Sequence, residues 1–316
     1  MAFPWMRRTW LLVAATAALL LAACGGGTVD SQLAPNRVIA FGDAMADMGQ
    51  NGTKYTVNDT QVNNWTQYVA NAYARPLAPS SQGGLSYAYG NARITATPDA
   101  AGNSSTPTVQ QQISTFLAAT PTIDTTDLIM VSAGTADLIV QIRATLEGRQ
   151  TADQLNANAS QAGKDLADQV KRLVAAGAKH VVVAGPINMG RTPWANQTGQ
   201  NALMETATRN FNNDLKVALV DFGATVLYVD AELFFNNQSS AATNFGNYTD
   251  LVCTSVDPGP GIGTGNGQVN SAQCSPATIK AGADYAQYLY ADRVYPTPRG
   301  HQLFGEYARN AIHNRW

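Results

Sequence analysis

The sequence predicts an α/β domain in three layers, with a central parallel sheet between two layers of helices. Three observations carry this. The apolar runs that read as strands are continuous rather than alternating, as in strands buried on both faces. Segments with helical spacing separate them, which is the pattern of crossover connections. No linker interrupts the alternation after residue 36, so one domain runs from 36 to 316, although a length of 316 residues alone would also allow two smaller ones.

The elements follow in order. Residues 37–41 (RVIAF) form a short apolar strand that ends in the turn Gly42-Asp43. Residues 65–74 and 109–119 have helical spacing, and 127–131 (DLIMV) is a second buried strand followed by Ser132-Ala133-Gly134. Residues 151–176 form a long amphipathic helix. Leu155, Ala159, Ala162, Leu166, Val170 and Leu173 step along one face, and Gly177 ends it. The strand 180–184 (HVVVA) runs into Gly185-Pro186, the helix 202–222 ends at Gly223, and 225–229 (TVLYV) is a fourth strand. Thr297-Pro298 opens the last helix, with Thr as N-cap and Pro at the first helical position. In such a sheet a site forms at the carboxyl ends of the strands. The loops after Phe41, Val131, Ala184 and Val229 are therefore the ones to search, with the segment before the last helix.

Charge narrows the function classes. The net charge is −2, so no basic field is present to attract nucleic acid. Charged residues make up 13% of the chain, about half the usual share, and Asn, Gln, Ser and Thr are expected to carry the surface.

Arg7 and Arg8 precede an apolar run, residues 10–23, of about 14 residues, which is short for a membrane span and reads as an export signal. The run ends in Leu21-Ala22-Ala23-Cys24, which resembles the bacterial lipobox. That resemblance implies that residues 1–23 are removed, that Cys24 is lipidated and anchors the chain to a membrane, and that residues 24–35 form a flexible tether. Gly25 after the cysteine implies the outer membrane, facing the periplasm or the cell surface. An ordinary secretory signal with an incidental cysteine is the alternative. If Cys24 carries lipid, Cys253 and Cys274 remain, flanking a Gly- and Pro-rich loop. In an oxidising compartment they would pair, adding about 3 kcal/mol, and otherwise they are two free buried thiols. No Cys/His spacing suggests a metal, and no cofactor is expected.

The predicted loops carry recognisable blocks. Phe41-Gly42-Asp43-Ala44-Met45-Ala46-Asp47-Met48-Gly49 resembles the first block of the SGNH/GDSL ester hydrolases, FGDSxxDxG. Residues 86–93 (SYAYGNAR) are similar to the second block, residues 132–137 (SAGTAD) to the third, GxND, and Asp292-Arg293-Val294-Tyr295-Pro296-Thr297 to the last, DxxHPT. The resemblance implies the flavodoxin-like fold of that family and hydrolysis of carboxylic esters, as in its lipases and esterases. A serine would attack the carbonyl, a histidine would take its proton and an aspartate would orient the histidine. Backbone N–H groups and an asparagine amide would hold the oxyanion.

This chain departs from the scheme at three positions. The serine position is Ala44, the asparagine position Ala136 and the histidine position Tyr295, a poor base at neutral pH. Asp292 and the backbone donors of Ala44 and Gly90 are what the resemblance leaves in place. Losing nucleophile or base from such a unit costs on the order of 10⁶ in rate.

Other candidates have weaker roles. His180 opens a strand far from the carboxyl ends, and His313 sits at the end of the last helix. His301, in that helix's first turn, either reaches the cleft rim or packs against Phe304 and Ala308. Ser132 and Thr135 read as turn residues. Asp43 and Asp47 read as a helix cap and a turn brace, and Asn212 and Asn213 as solvated helix positions. The run Tyr285-Ala286-Gln287-Tyr288-Leu289-Tyr290 either lines a sugar or acyl cleft or packs as core and edge.

Three functions fit. The first is a lipoprotein that has lost hydrolysis and binds an ester, acyl, glycan or protein ligand through the old cleft. The second is an active esterase with rearranged catalytic residues, and the third is a structural envelope protein. Any hydrolase label rests on fold analogy alone.

Overall fold

The computed structural model describes residues 33–316, apart from 63, 121 and 241–243. The expected signal sequence and the lipidated Cys24 lie outside the described residues. The expected tether does so only as far as residue 32. Leu33 is already docked, its N–H donating to the carbonyl of Trp316 at 3.1 Å, and the Pro35 carbonyl accepts from Arg75 Nε.

The sheet is parallel and has four strands, β1 (Val38–Gly42), β2 (Leu128–Ser132), β3 (His180–Ala184) and β4 (Val226–Tyr228), in the order β1-β2-β3-β4. Beyond β1 a single parallel bridge, Ala40 with Ser86, extends the edge. Every residue of β1 and β2 is buried, and because side chains alternate faces, both faces of the sheet must be covered. Three helices pack on one another as one layer: α2 (Val109–Ala119), α4 (Ala152–Ala175) and α6 (Asn201–Ala218). On the other side α1 (Trp65–Ala72) packs against the last helix, α8 (Pro298–Arg315). The order of strands and helices is that of the predicted three-layer domain.

Local chemistry sets the ends. Thr108 and Thr151 cap α2 and α4 in full capping boxes with Gln111 and Gln154. Thr297 caps α8, with Pro298 in its first turn. The helix expected over 202–222 stops at Ala218, and residues 220–222 form a separate 3₁₀ turn.

Several elements were not predicted. They are α3 (Thr135–Leu146), the short α5 (Pro193–Thr198) and α7 (Ala231–Gln238). Two small pairings also emerge, β5 (Asn247–Leu251) with β8 (Tyr288–Tyr290) in parallel, and the antiparallel hairpin β6 (Val256–Asp257) with β7 (Gln268–Val269). The hairpin carries the Gly-rich loop at its tip. Below it Cys253 and Cys274 form a disulfide, with Cα atoms 5.9 Å apart.

Candidate active site

The carboxyl ends of β1 and β2 bring the first three blocks together. Asp43 follows β1 and is fully buried. Its carboxylate accepts from the N–H groups of Met45 at 3.1 Å, Thr135 at 2.9 Å and Ala136 at 3.4 Å. The last two donors open α3, whose own N-cap is Gly134 with no side chain to offer. Asp43 therefore caps α3 from a distance, rather than a helix following its own turn as the sequence suggested. Burial pushes its pKa up to about 7 against these bonds.

Asp47 braces the turn and reaches the second block. It accepts from Gly49 N at 2.8 Å, Gln50 N at 2.9 Å and Gly90 N at 2.8 Å. The Gly90 bond corrects an expectation, because the N–H assigned to an oxyanion is committed to Asp47. Gly90 is needed here for space, since a Cβ would fall 2.0 Å from the Tyr55 ring. The second and third blocks are joined by Asp137, which accepts from Arg93 Nε at 3.3 Å and Ile94 N at 3.0 Å. Burial raises the carboxyls of Asp47 and Asp137 to about 6.

The last block faces this assembly. Asp292 is fully buried and accepts from Val294 N at 2.8 Å, Tyr295 N at 2.7 Å and Ser271 N at 3.2 Å. Burial raises its pKa to about 6. Tyr295, at the histidine position, is buried, and its ring stands edge-on to Tyr55 with centroids 5.5 Å apart. Burial, with Asp43 and Asp292 nearby, holds the phenol well above its usual pKa, so it stays protonated.

Ala44, Gly90, Ala136, Asp292 and Tyr295 are all buried, with Ala44 1% exposed and Tyr295 0%. The cleft expected among them is filled by the Tyr55 and Tyr295 rings. The Gly-rich loop, residues 258–267, is tied down beside them. Asn91 Nδ2 donates to Gly261 O at 3.1 Å, Arg143 Nη1 to Gly263 O at 3.1 Å and Arg293 Nη1 to Thr264 O at 3.2 Å. These donors stand beside Gly90, on α3 and beside Asp292. Between them the loop buries Ile262 in the core.

The remaining candidates are separate. His301 is buried, its imidazole against the backbone of Tyr55, and burial lowers its pKa to about 3. His180 meets the Trp316 ring at 4.9 Å. Ser132 ends β2 and Thr135 starts α3. Among the described residues no histidine is hydrogen-bonded to a serine or threonine hydroxyl. Asn212 is not a solvated position. It is buried, and its amide donates to Pro186 O at 3.1 Å and Glu232 Oε2 at 2.9 Å. In the tyrosine run, Tyr290 is core, Tyr288 is half-buried and Tyr285 faces a surface groove.

Comparison with known proteins identifies the family. The model of the GDSL-like lipase/acylhydrolase family matches residues 38–308, and the chain belongs to that family. It is similar to a solved member of the lipolytic G-D-S-L family from Veillonella parvula DSM 2008, at 14% identity. That likeness covers 87% of this chain and 96% of the other, with a TM-score of 0.45. It is also similar to a carbohydrate acetylesterase family member from Sinorhizobium meliloti, at 11% identity, over 88% and 98% of the two chains, with a TM-score of 0.40. No curated protein matches the chain.

Proposed function

We propose that this family member has lost ester hydrolysis at the inherited site and serves as an envelope-anchored binding protein. The observation that carries the reading is position 295. A phenol stands where the family's mechanism needs a base, and it is buried against Tyr55 and held protonated. Ala44 offers no nucleophile and Ala136 no side-chain amide. Asp292 serves three backbone N–H groups instead of a histidine. A ligand would then bind outside the filled cleft.

Purified protein given p-nitrophenyl butyrate should turn over no faster than buffer. Ala44→Ser should leave the rate there, because an unassisted hydroxyl is a weak nucleophile. Ester cleavage by the unmodified protein that survives Asp292→Ala would overturn the reading and favour an esterase with rearranged residues.

The envelope part of the proposal is supported by Arg7, Arg8, the short apolar run and Cys24. Cys24→Ser should move the protein from the membrane fraction to the soluble fraction. Unchanged membrane association would remove the lipid anchor from the proposal.

A further inference from the structure

A surface groove of about 390 Å³ opens at the start of α8, lined by Asp59, Gln61, Tyr68, Tyr285, Arg299 and Gln302 among others. None of these residues belongs to the site described above. The size lies near the lower end of the roughly 300–1,000 Å³ typical of small-molecule pockets.

Its polar side chains are already ordered by contacts to one another. Tyr285 Oη donates to Asp59 Oδ2 at 2.7 Å. On the α8 side, Arg299 Nη1 donates to Gln302 Oε1 at 3.3 Å, and Gln302 Nε2 donates to Glu306 Oε1 at 3.1 Å. Tyr68 Oη donates to the same Glu306 oxygen at 3.4 Å. Tyr68 is also seated by the backbone. Gly305 lies inside α8, where glycine costs about 1 kcal/mol relative to alanine. A Cβ there would fall 2.8 Å from Tyr68 Cβ and 2.9 Å from its ring, so only glycine lets the tyrosine lie this close to the helix.

The chemistry of the lining selects a ligand class. Two tyrosines give apolar ring surface beside a polar tip. A carboxylate, two amides and a guanidinium are planar groups that present paired acceptors or donors to adjacent hydroxyls. One acid and one base line the groove, so its side chains carry no net charge to favour an anion. We infer that the groove between residues 59–62, α1 and the first turns of α8 binds a neutral pyranoside. The hydroxyls would meet Asp59, Gln61, Arg299 and Gln302, and the C–H face would lie on a tyrosine ring. This deepens the reading of a binding protein and rests on it for biological sense, although the site itself is independent of the filled cleft.

Saturation-transfer NMR of the full chain in detergent micelles tests the inference, with methyl β-glucoside, cellobiose and the N-acetylglucosamine disaccharide as probes at millimolar concentration. At least one should receive saturation on its ring C–H protons. Tyr285→Ala and Arg299→Ala, with circular dichroism unchanged, should each weaken that sugar at least tenfold. Two variants are used so that failure of one to fold leaves the other decisive. No transfer to any of the three probes overturns the inference. So does equal transfer in both folded variants, or displacement of the sugar by sulfate, which would mark an anion site. Esterase turnover measured on the same preparation is a separate readout, so loss of hydrolysis and sugar binding can fail independently.

Discussion

The two halves of the inherited site are held together in opposite ways. On the side of β1 and β2, carboxylates accept from the backbone. Asp43 and Asp47 each take three N–H groups, and Asp137 takes one along with Arg93. On the side of the Gly-rich loop, side chains donate to the backbone, with Asn91, Arg143 and Arg293 each holding a loop carbonyl. The difference explains which family residues this chain retains. Every block acid here satisfies buried N–H groups, and removing it would orphan them. Ala44, Ala136 and Tyr295 stand at positions whose family side chains act on substrate. Ala44 and Ala136 carry no polar side-chain atom, and the buried Tyr295 hydroxyl has no hydrogen-bond partner among the described residues, so none of these three side chains satisfies a backbone group.

The comparison can be broken by mutation. The largest effect is expected on the acceptor side. Asp43→Ala strips three buried N–H groups of their partner, and each unsatisfied group costs about 1–3 kcal/mol. Urea unfolding should show a loss of about 4 kcal/mol, or no folded protein at all. A loss under about 1 kcal/mol would mean that Asp43 is not what holds α3.

A smaller and more local effect is expected on the donor side. Arg143→Ala combined with Arg293→Ala should speed amide hydrogen exchange across 258–267 by about a hundredfold or more, since two charged hydrogen bonds of about 1.5–3 kcal/mol each are lost. Exchange in β1 and β2 should be unchanged. Acceleration spread evenly over the protein would show that the loop does not open as a unit.

The smallest effect concerns pH. Asp43 at about 7, and Asp47, Asp137 and Asp292 at about 6, bind protons in the folded state at pH values where the unfolded chain does not. Their contribution to stability is complete below the unfolded carboxylate pKa and is lost as pH rises through 6 to 7. His301, lowered to about 3, opposes them. It contributes stability above 6.5 that fades as pH falls. Four carboxylates outweigh one imidazole, so Tm should rise between pH 7 and pH 5. A falling Tm would place these carboxylates lower than burial suggests.

How far the sequence could be read follows the same division. The strands and the Thr297-Pro298 start of α8 were legible because their signals are local. Helix α3 was not, since Gly134 gives it no capping side chain and its cap, Asp43, lies 92 residues earlier. Asn212 read as surface because an amide on a helix usually is. Its burial depends on Pro186 and Glu232, which only the fold brings near. The loop 258–267 has a flexible composition, and its one legible hint was Ile262, a lone large apolar residue among glycines. The blocks of the candidate site were readable in order, but the filling of the cleft was not. Nothing local connects Tyr55 to Tyr295, and the loss of the Gly90 donor depends on Asp47, 43 residues away.

The bond from Leu33 to the Trp316 carbonyl has an orientational consequence. It lies beside His180, where β3 begins, and in a parallel sheet all strands begin at one pole. The inherited site lies at the other pole, about 16 Å away along a five-residue strand. The chain before Leu33 and a label joined after Trp316 would therefore both leave the domain at the pole opposite the blocks.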